Sequence, residues 1–184
     1  MKKLLYASLG ALLLAACGNG GGETKPETET AAPAASEPAP VEFADAKLME
    51  MGKASLDNLS KGNVAGWVDQ FADNAVYVWN NGDSLAGKEA INKYWTDRRN
   101  NVLDSISFAN DVWLPVKVNV SQRPGVVATG TWLLGWYMTT AKYKGGGSMT
   151  QWIHATMHLN EAGKVDRMIQ YLDRVPIMQA MPKK

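Results

Sequence analysis

Apolar and polar residues alternate over most of the second half of this chain, and this pattern limits the fold more than any other feature. A period of two is typical of β-strands that bury one face. Turn-forming clusters at 123–125, 144–147 and 160–163 divide the region into long strands at about 106–120, 126–141, 148–159 and 164–174. Because short turns join consecutive strands, the sequence predicts a curved antiparallel sheet.

In the first of these strands nearly every second residue is apolar, and the strand contains a proline. Pro115 within the run indicates an edge, a bend or a bulge, because proline cannot donate to a strand ladder. Trp113, Lys117 and Asn119 share the second parity. The apolar parity comprises Ile106, Phe108, Val112, Leu114, Val116, Val118 and Val120.

Helical periodicity precedes the strands. Residues 44–61 place apolar side chains at helical spacing and stop at Gly62, which predicts a first helix. A strand at 75–79, a turn at 80–83 and a third helix at about 88–99 come later. Helices that are segregated from a run of antiparallel strands predict an α+β fold with a cavity between the two layers. Between the first helix and the strand, Asn63 is suited to cap a second helix, ending near 73–74, whose apolar stripe is Val64, Trp67, Val68 and Phe71.

The N-terminal residues have the composition of a secretory signal, with two lysines before an apolar run that is too short to span a bilayer as a mature helix. The sequence Leu-Ala-Ala-Cys at 14–17 resembles the bacterial lipobox. That resemblance implies cleavage before Cys17 and acylation of its thiol; the alternative is an ordinary signal with a chance cysteine. Gly18 after the cysteine is similar to lipoproteins sent to the outer membrane of Gram-negative bacteria. We therefore expect a lipid-anchored protein of the cell envelope.

These features divide the chain into three parts: a signal peptide at 1–16, a lipidated cysteine with a disordered tether at 17–42, and one α+β domain at 43–184. The tether prediction rests on a composition of Gly, Glu, Thr, Ala and Pro with almost no large apolar side chain. Cys17 is the only cysteine, so the domain can form no internal disulfide. The 19 basic and 18 acidic residues nearly balance and form no basic stripe, which argues against a nucleic-acid partner.

Two segments carry a family resemblance. FADNAVYVWNNGDSLAGKEAINKYW at 71–95 resembles part of the SnoaL-like domains of the nuclear transport factor 2-like superfamily, and HLNEAGKVDRMIQYLDRV at 158–175 is similar to the final hairpin of that family. The resemblance covers about residues 44–180. It implies a cone-shaped roll in which N-terminal helices pack on the sheet and enclose one deep pocket, and frequent dimers through the outer sheet face. It implies no single activity, because members include isomerases, cyclases, dehydratases, epoxide hydrolases and binding modules.

The domain is unusually rich in tryptophan, with all seven indoles between residues 67 and 152. Large rings with a polar handle suit a pocket wall that stacks a flat or apolar ligand. The alternative is that they build the core and a dimer face. Strand parity puts Trp152 and His154 on one face, and we expect Trp67 to close over them. The predicted ligand-binding residues are Trp67, Trp79, Trp132, Trp136, Trp152, Gln170 and Tyr171.

His154 and Asp173 are the candidate catalytic residues. A strand histidine among apolar neighbours is either a satisfied core residue or a proton-transfer group. Asp173 follows the last strand, where a desolvated carboxylate could serve as a base. Many catalytic members of the resembling family carry an acid three positions before this aspartate, whereas this chain has Gln170. A neutral amide can orient a ligand but cannot be a general base.

No cofactor or metal is predicted. The sequence contains no phosphate-binding glycine loop and no dinucleotide fingerprint, and the run at 145–147 reads as a hairpin tip. His154 and His158 are four positions apart on a strand, roughly 13 Å, which is too far to share a metal ion directly.

The sequence favours a lipid-anchored envelope domain that binds a small apolar or aromatic molecule in a tryptophan-rich pocket. One alternative is a cofactor-independent lyase or isomerase that uses His154 and Asp173 for proton transfer. Another is a structural interaction module whose tryptophans bury a dimer interface. We also expect a homodimer, because the strands are apolar on both parities and one face needs a cover beyond the helices.

Overall fold

Helices and a long, curved sheet form two layers in the computed structural model, which describes residues 38–182. The signal peptide, Cys17 and most of the predicted tether lie outside the described residues. The elements are β1 (Val41–Phe43), α1 (Leu48–Ser60), α2 (Val64–Val68), β2 (Phe71–Trp79), β3 (Ser84–Ala86), α3 (Lys88–Asp97), β4 (Leu103–Val118), β5 (Gly130–Tyr143), β6 (Ser148–Leu159), β7 (Val165–Tyr171) and α4 (Arg174–Ala180). The predicted α+β fold is confirmed.

One seven-stranded sheet has the order β1-β4-β5-β6-β7-β2-β3. Every neighbouring pair is antiparallel except β2 and β7, which run parallel. Strands β4, β5 and β6 follow one another through hairpins, as the alternation and turns predict. The parallel pair forms because β2 comes from the helical half of the chain and joins the far side of β7. The sheet is therefore mixed, and the purely antiparallel expectation is corrected at this one pair.

The helices agree with the sequence in position and differ at their ends. Asn63 caps α2 as predicted, because its side-chain oxygen accepts the backbone N–H of Gly66 at 3.0 Å. The helix then ends at Val68, and Phe71 already belongs to β2 opposite Val165. Sheet pairing overrides the helical spacing here, so the expected end near 73–74 is wrong. A π-helical turn at Arg98–Val102 connects α3 to β4.

Strand β4 does not keep a single parity. Asn110 has a positive φ of 54°, and the pairing with β5 shifts between Ala109 and Val112. This β-bulge exchanges the two faces of the strand. Before the bulge Ile106 is buried, whereas after it Trp113 is buried and Val112 is exposed. The expected single apolar parity is therefore wrong beyond residue 109.

Trp113 holds α1 against the sheet. Its indole lies between Gly52 of α1 and Gly135 of β5, so close that a Cβ added at either glycine would be 2.3 Å from the ring. The indole N–H donates to the carboxylate of Asp111 at 2.9 Å. Because both neighbours lack a side chain, a flat ring fills the space between the helix and the strand.

No helix among residues 38–182 is long and apolar enough to cross a bilayer.

We expect Gly52→Ala to destabilise the domain. Alanine would improve helix propensity by up to about 1 kcal/mol. The added methyl must displace the Trp113 ring, however, and overpacking of this kind costs about 1–3 kcal/mol. Urea denaturation monitored by tryptophan fluorescence should therefore show a lower midpoint.

Gly147→Ala is the matched control, because a Cβ there meets backbone atoms only at 3.8 Å and beyond. We expect this variant to unfold within about 0.5 kcal/mol of the parent, as surface substitutions do. An increase in stability for Gly52→Ala would contradict the packing described for Trp113.

Candidate functional site

A cavity of about 380 Å³ lies between the helices and the inner face of the sheet. This volume is within the range of small-molecule sites. Side chains from α1, α2, α3, α4 and the long strands contribute to its wall. About half of them are aromatic rings or thioethers: Trp67, Tyr77, Trp79, Tyr94, Trp95, Phe108, Tyr137, Met149, Met157, Met168, Met178 and Met181.

Trp67 is the centre of the aromatic wall. Its ring centroid lies 4.8 Å from that of Phe71 and 5.2 Å from that of Trp95, in tilted and edge-on arrangements that favour aromatic pairs. Its indole N–H donates to the hydroxyl of Ser55 at 2.9 Å. The polar atom of the ring is therefore satisfied within α1, and the apolar surface of the ring remains for the cavity.

Three polar side chains on the sheet side of the cavity are connected by hydrogen bonds. The Tyr77 hydroxyl donates to Gln170 Oε1 at 2.5 Å, and Gln170 Nε2 donates to the Tyr137 hydroxyl oxygen at 3.3 Å. Burial raises the pKa of Tyr77 well above its usual value and raises the pKa of Tyr137 to about 12. Both phenols are therefore neutral at physiological pH. The Tyr137 proton has no acceptor among the described residues, which leaves one hydroxyl donor for a ligand.

Charged groups lie at the edge of the cavity. Asp83 is the only carboxylate among the described residues of the lining, and Arg174 donates to its Oδ2 at 2.9 Å. Hydrogen bonds from Asn81 and then Arg174 hold the pKa of Asp83 below its usual value. Asp83 is thus an ionised, paired acid in an exposed position, and it is unsuited to accept a proton inside the cavity.

The predicted ligand-binding residues divide between the two faces of the sheet. Trp67, Trp79 and Gln170 line the cavity. The remaining predicted residues lie on the opposite surface, which we call the outer face and define by Val112, Trp132, Trp136, Trp152, His154 and Tyr171. Register places Trp136, His154 and Tyr171 side by side on β5, β6 and β7.

Trp67 therefore does not close over Trp152 and His154, and that expectation is corrected. Trp136 and His154 are paired across β5 and β6, but the neighbouring pair, Tyr137 and Ile153, faces the cavity. Both parities of β5 are apolar, so its alternation alone could not tell which parity is internal. In β6 most of the apolar residues do fall on one parity, that of Ile153 and Met157, and this parity is the internal one.

His154 and Asp173 do not form a proton-transfer pair. The His154 ring stacks between Trp136 at 4.5 Å and Tyr171 at 5.6 Å, and its Nδ1 is 2.9 Å from the carbonyl oxygen of Gly135. Asp173 instead caps α4, where its carboxylate accepts the backbone N–H of Val175 at 2.8 Å. Neither residue lines the cavity, so the predicted catalytic pairing is corrected.

Some cavity residues gave weak or no signal in the sequence. Tyr77 and Tyr137 carry the polar network, yet their inward direction depends on the parity that the alternation left open. Arg98 also lines the cavity, and it reaches the wall because the π-helical turn extends α3. Helix α4 was not predicted, although Asp173 is a typical N-cap residue and offered a signal for it.

Both ring nitrogens of His158 have hydrogen-bond partners in the domain. Its Nδ1 is 2.6 Å from Asp166, and its Nε2 is 3.0 Å from the carbonyl oxygen of Thr129. Across residues 38–182 there is no group of three or more His, Cys, Asp or Glu side chains that could hold a metal ion.

Several solved structures have a fold similar to that of this chain. A nuclear transport factor 2-like protein of unknown function from Burkholderia pseudomallei superimposes with a TM-score of 0.58 at 10% identity, over 73% of this chain and 97% of that one. A candidate polyketide cyclase from Pseudomonas putida gives 0.57 at 14% identity, over 71% and 96%. An LEH-like epoxide hydrolase from M. tuberculosis gives 0.50 at 12% identity, over 72% and 86%.

These similarities establish the fold, and identities this low say nothing further about the chemistry. No protein-family model matches the sequence, and no curated protein matches it.

Proposed function

We propose that this protein, built on the nuclear transport factor 2-like fold, is a lipid-anchored binding module that holds a small apolar or aromatic molecule in its cavity. The observation that carries the proposal is the wall of rings and thioethers around a space of about 380 Å³. Burial of apolar surface stabilises a complex by about 25 cal/mol per Å². Methionine side chains adapt to ligand shape, while the edge-packed rings around Trp67 keep their positions.

The groups inside the cavity favour binding over catalysis. Proton abstraction needs a base whose pKa is near the working pH. Tyr77 and Tyr137 have raised pKa values, Gln170 is an amide, and Asp83 is paired with Arg174 at the edge. A lyase or isomerase that uses His154 and Asp173 would need its substrate on the outer face or beside α4, outside the aromatic wall.

A neutral lipophilic probe tests the binding proposal. We expect N-phenyl-1-naphthylamine to bind the domain saturably, with quenching of tryptophan emission, because it can replace water against the rings. Ala141→Leu should weaken this binding at least about tenfold, since Ala141 lines the cavity and a larger side chain would occupy ligand space.

Ala109→Leu is the matched control, because Ala109 is exposed on β4 and lies outside the cavity. Thermal melting of both variants shows whether they remain folded. Equal affinity of Ala141→Leu and the parent, or absence of saturable binding by the folded parent, would contradict the proposal.

Anchoring is proposed from the sequence at 14–17, outside the described residues. A cysteine that carries several acyl chains buries many methylene groups in the bilayer, which makes membrane attachment effectively stable. The anchor would then lie in the periplasmic or outer surface of the outer membrane, and the residues between Cys17 and β1 would join it to the domain.

We expect Cys17→Ala to appear in the soluble envelope fraction while the domain melts at the parent temperature, because acylation and the core are independent. Fractionation by ultracentrifugation checks the location, and thermal denaturation checks the fold. Recovery of the variant with membranes at the parent level would refute the lipoprotein assignment.

The outer face supports a second role, as the interface of a homodimer. Val112, Trp136, Trp152 and Tyr171 expose between 38% and 56% of their surface there. A contiguous apolar patch of this kind is unusual on a protein that stays monomeric. A second copy is the proposed occupant, because the two identical aromatic patches would cover each other about a twofold axis. The family resemblance also implies dimers through this face.

Trp152→Glu should convert the dimer to a monomer in sedimentation at micromolar concentration, because a buried unpaired carboxylate is costly at an interface. Val126→Glu is the control, since Val126 is similarly exposed but lies in the loop between β4 and β5. A parent that sediments as a monomer at high micromolar concentration would rule out the interface.

A further inference from the structure

Arg98 brings a positive charge to the wall of the cavity. Its guanidinium donates to the Tyr143 hydroxyl at 3.3 Å and lies 5.8 Å from the centre of the Tyr143 ring. No carboxylate within residues 38–182 lies within 4 Å of it. The second arginine of the lining, Arg174, is neutralised by Asp83. The described lining therefore has one positive charge without an acidic partner.

A guanidinium beside an apolar cavity is only partly satisfied by a phenol. Five N–H groups in a planar fork match the two oxygens of a carboxylate, and such pairs are stronger than neutral hydrogen bonds. Removal of solvent by a bound ligand would strengthen the attraction further, because the local dielectric falls. The charge of Arg98 also affects Tyr77. Burial raises the pKa of this phenol, and the positive charge of Arg98 lowers it in part.

Two other buried polar groups of the lining lack partners. The indole N–H of Trp95, on a residue only 7% exposed, has no acceptor among the described residues, and neither does the hydroxyl of Thr139, which is 1% exposed. Trp95 and Arg98 are three residues apart, a spacing that places side chains on one side of a helix. With the free proton of Tyr137, these groups offer hydrogen-bond donors, and a ligand must supply the acceptors.

We propose that the ligand is an organic anion: an apolar or aromatic body that carries a carboxylate, with the acid group paired to Arg98. This inference rests on the proposed binding function and specifies its ligand class. The body of the ligand lies against Trp67 and the methionines, and its acid group compensates the charge that the described lining leaves unbalanced. Neutral molecules of the same shape fit the cavity but leave the charge of Arg98 uncompensated.

The test compares 2-naphthoate with 2-naphthamide by isothermal titration calorimetry, because the two differ in charge and scarcely in shape. We expect the folded parent to bind naphthoate at least about tenfold more tightly than naphthamide. High salt should reduce this preference, since the charge pair is screened. This arm requires no mutation, so it holds even if a variant fails to fold.

Arg98→Gln should lose the preference by reducing naphthoate affinity about tenfold, while naphthamide affinity stays within about threefold. Arg123→Gln is the control, because it removes the same charge from an exposed loop and should keep the preference. Arg98→Lys keeps a point charge but lacks the planar fork, so this variant should retain part of the preference for naphthoate.

The outcomes separate the two proposals. If naphthoate binds no better than naphthamide, or if Arg98→Gln and Arg123→Gln behave alike, the anion inference is overturned. The binding function then stands or falls on the neutral probe N-phenyl-1-naphthylamine. If the parent binds that probe but neither naphthyl compound, the assignment of an aromatic carboxylate to Arg98 is also overturned.

Discussion

The contact of Trp113 with two glycines supports the rest of this structure. The ring reaches the interior because the bulge at Asn110 turns the second half of β4 over, and it fits because Gly52 and Gly135 leave no side chain in its way. This packing holds α1 at a set distance from the sheet. The cavity exists beyond that contact, where α1 continues to Leu56 and Leu59 and the sheet curves away beneath the helices.

The aromatic residues serve two surfaces of one sheet. Tyr77 and Tyr137 face inward with Trp67 and Trp95, and the Tyr hydroxyls are joined through Gln170. Trp136, which lies next to Tyr137 along β5, and Trp152 on β6 face outward. A single layer therefore separates a ligand-sized space from an exposed apolar face. This division explains how so small a domain accommodates seven tryptophans without placing all of them in a core.

The chemistry of the cavity follows from which polar groups are buried and which are paired. Gln170 and the two phenols hydrogen-bond to each other, so they can orient a ligand. They supply no base, because burial keeps the phenols protonated. The one carboxylate of the described lining is held at the edge by Arg174. Arg98 is different, since its described partner is neutral. The arrangement of these groups supports the proposal that the site binds a small molecule.

Local patterns predicted much of the architecture. The period of two indicated the β4–β5–β6–β7 hairpins, helical spacing located α1 and α3, and Asn63 was recognised as a cap because its side chain can accept an N–H of the next turn. Trp67, Trp79 and Gln170 line the cavity, and their role in ligand binding stays a prediction. Each of the architectural features depends on residues close together in the chain or on a strongly apolar stripe, so the sequence carries it directly.

The sequence by itself determined the α+β class, the order of the elements and the residue types available to a site, because propensity, capping and periodicity are local properties. Only the tertiary structure decided which parity of β5 faces the helices, because both of its parities are apolar and the choice depends on register with the neighbouring strands. The choice in β5 sent Trp136 outward, beside its partner His154, and Tyr137 inward. In β4 the bulge at Asn110 decided the same question for the second half of the strand. The tertiary structure also decided that Arg98 lines the cavity, since long-range packing brings α3 and the π-helical turn over the sheet.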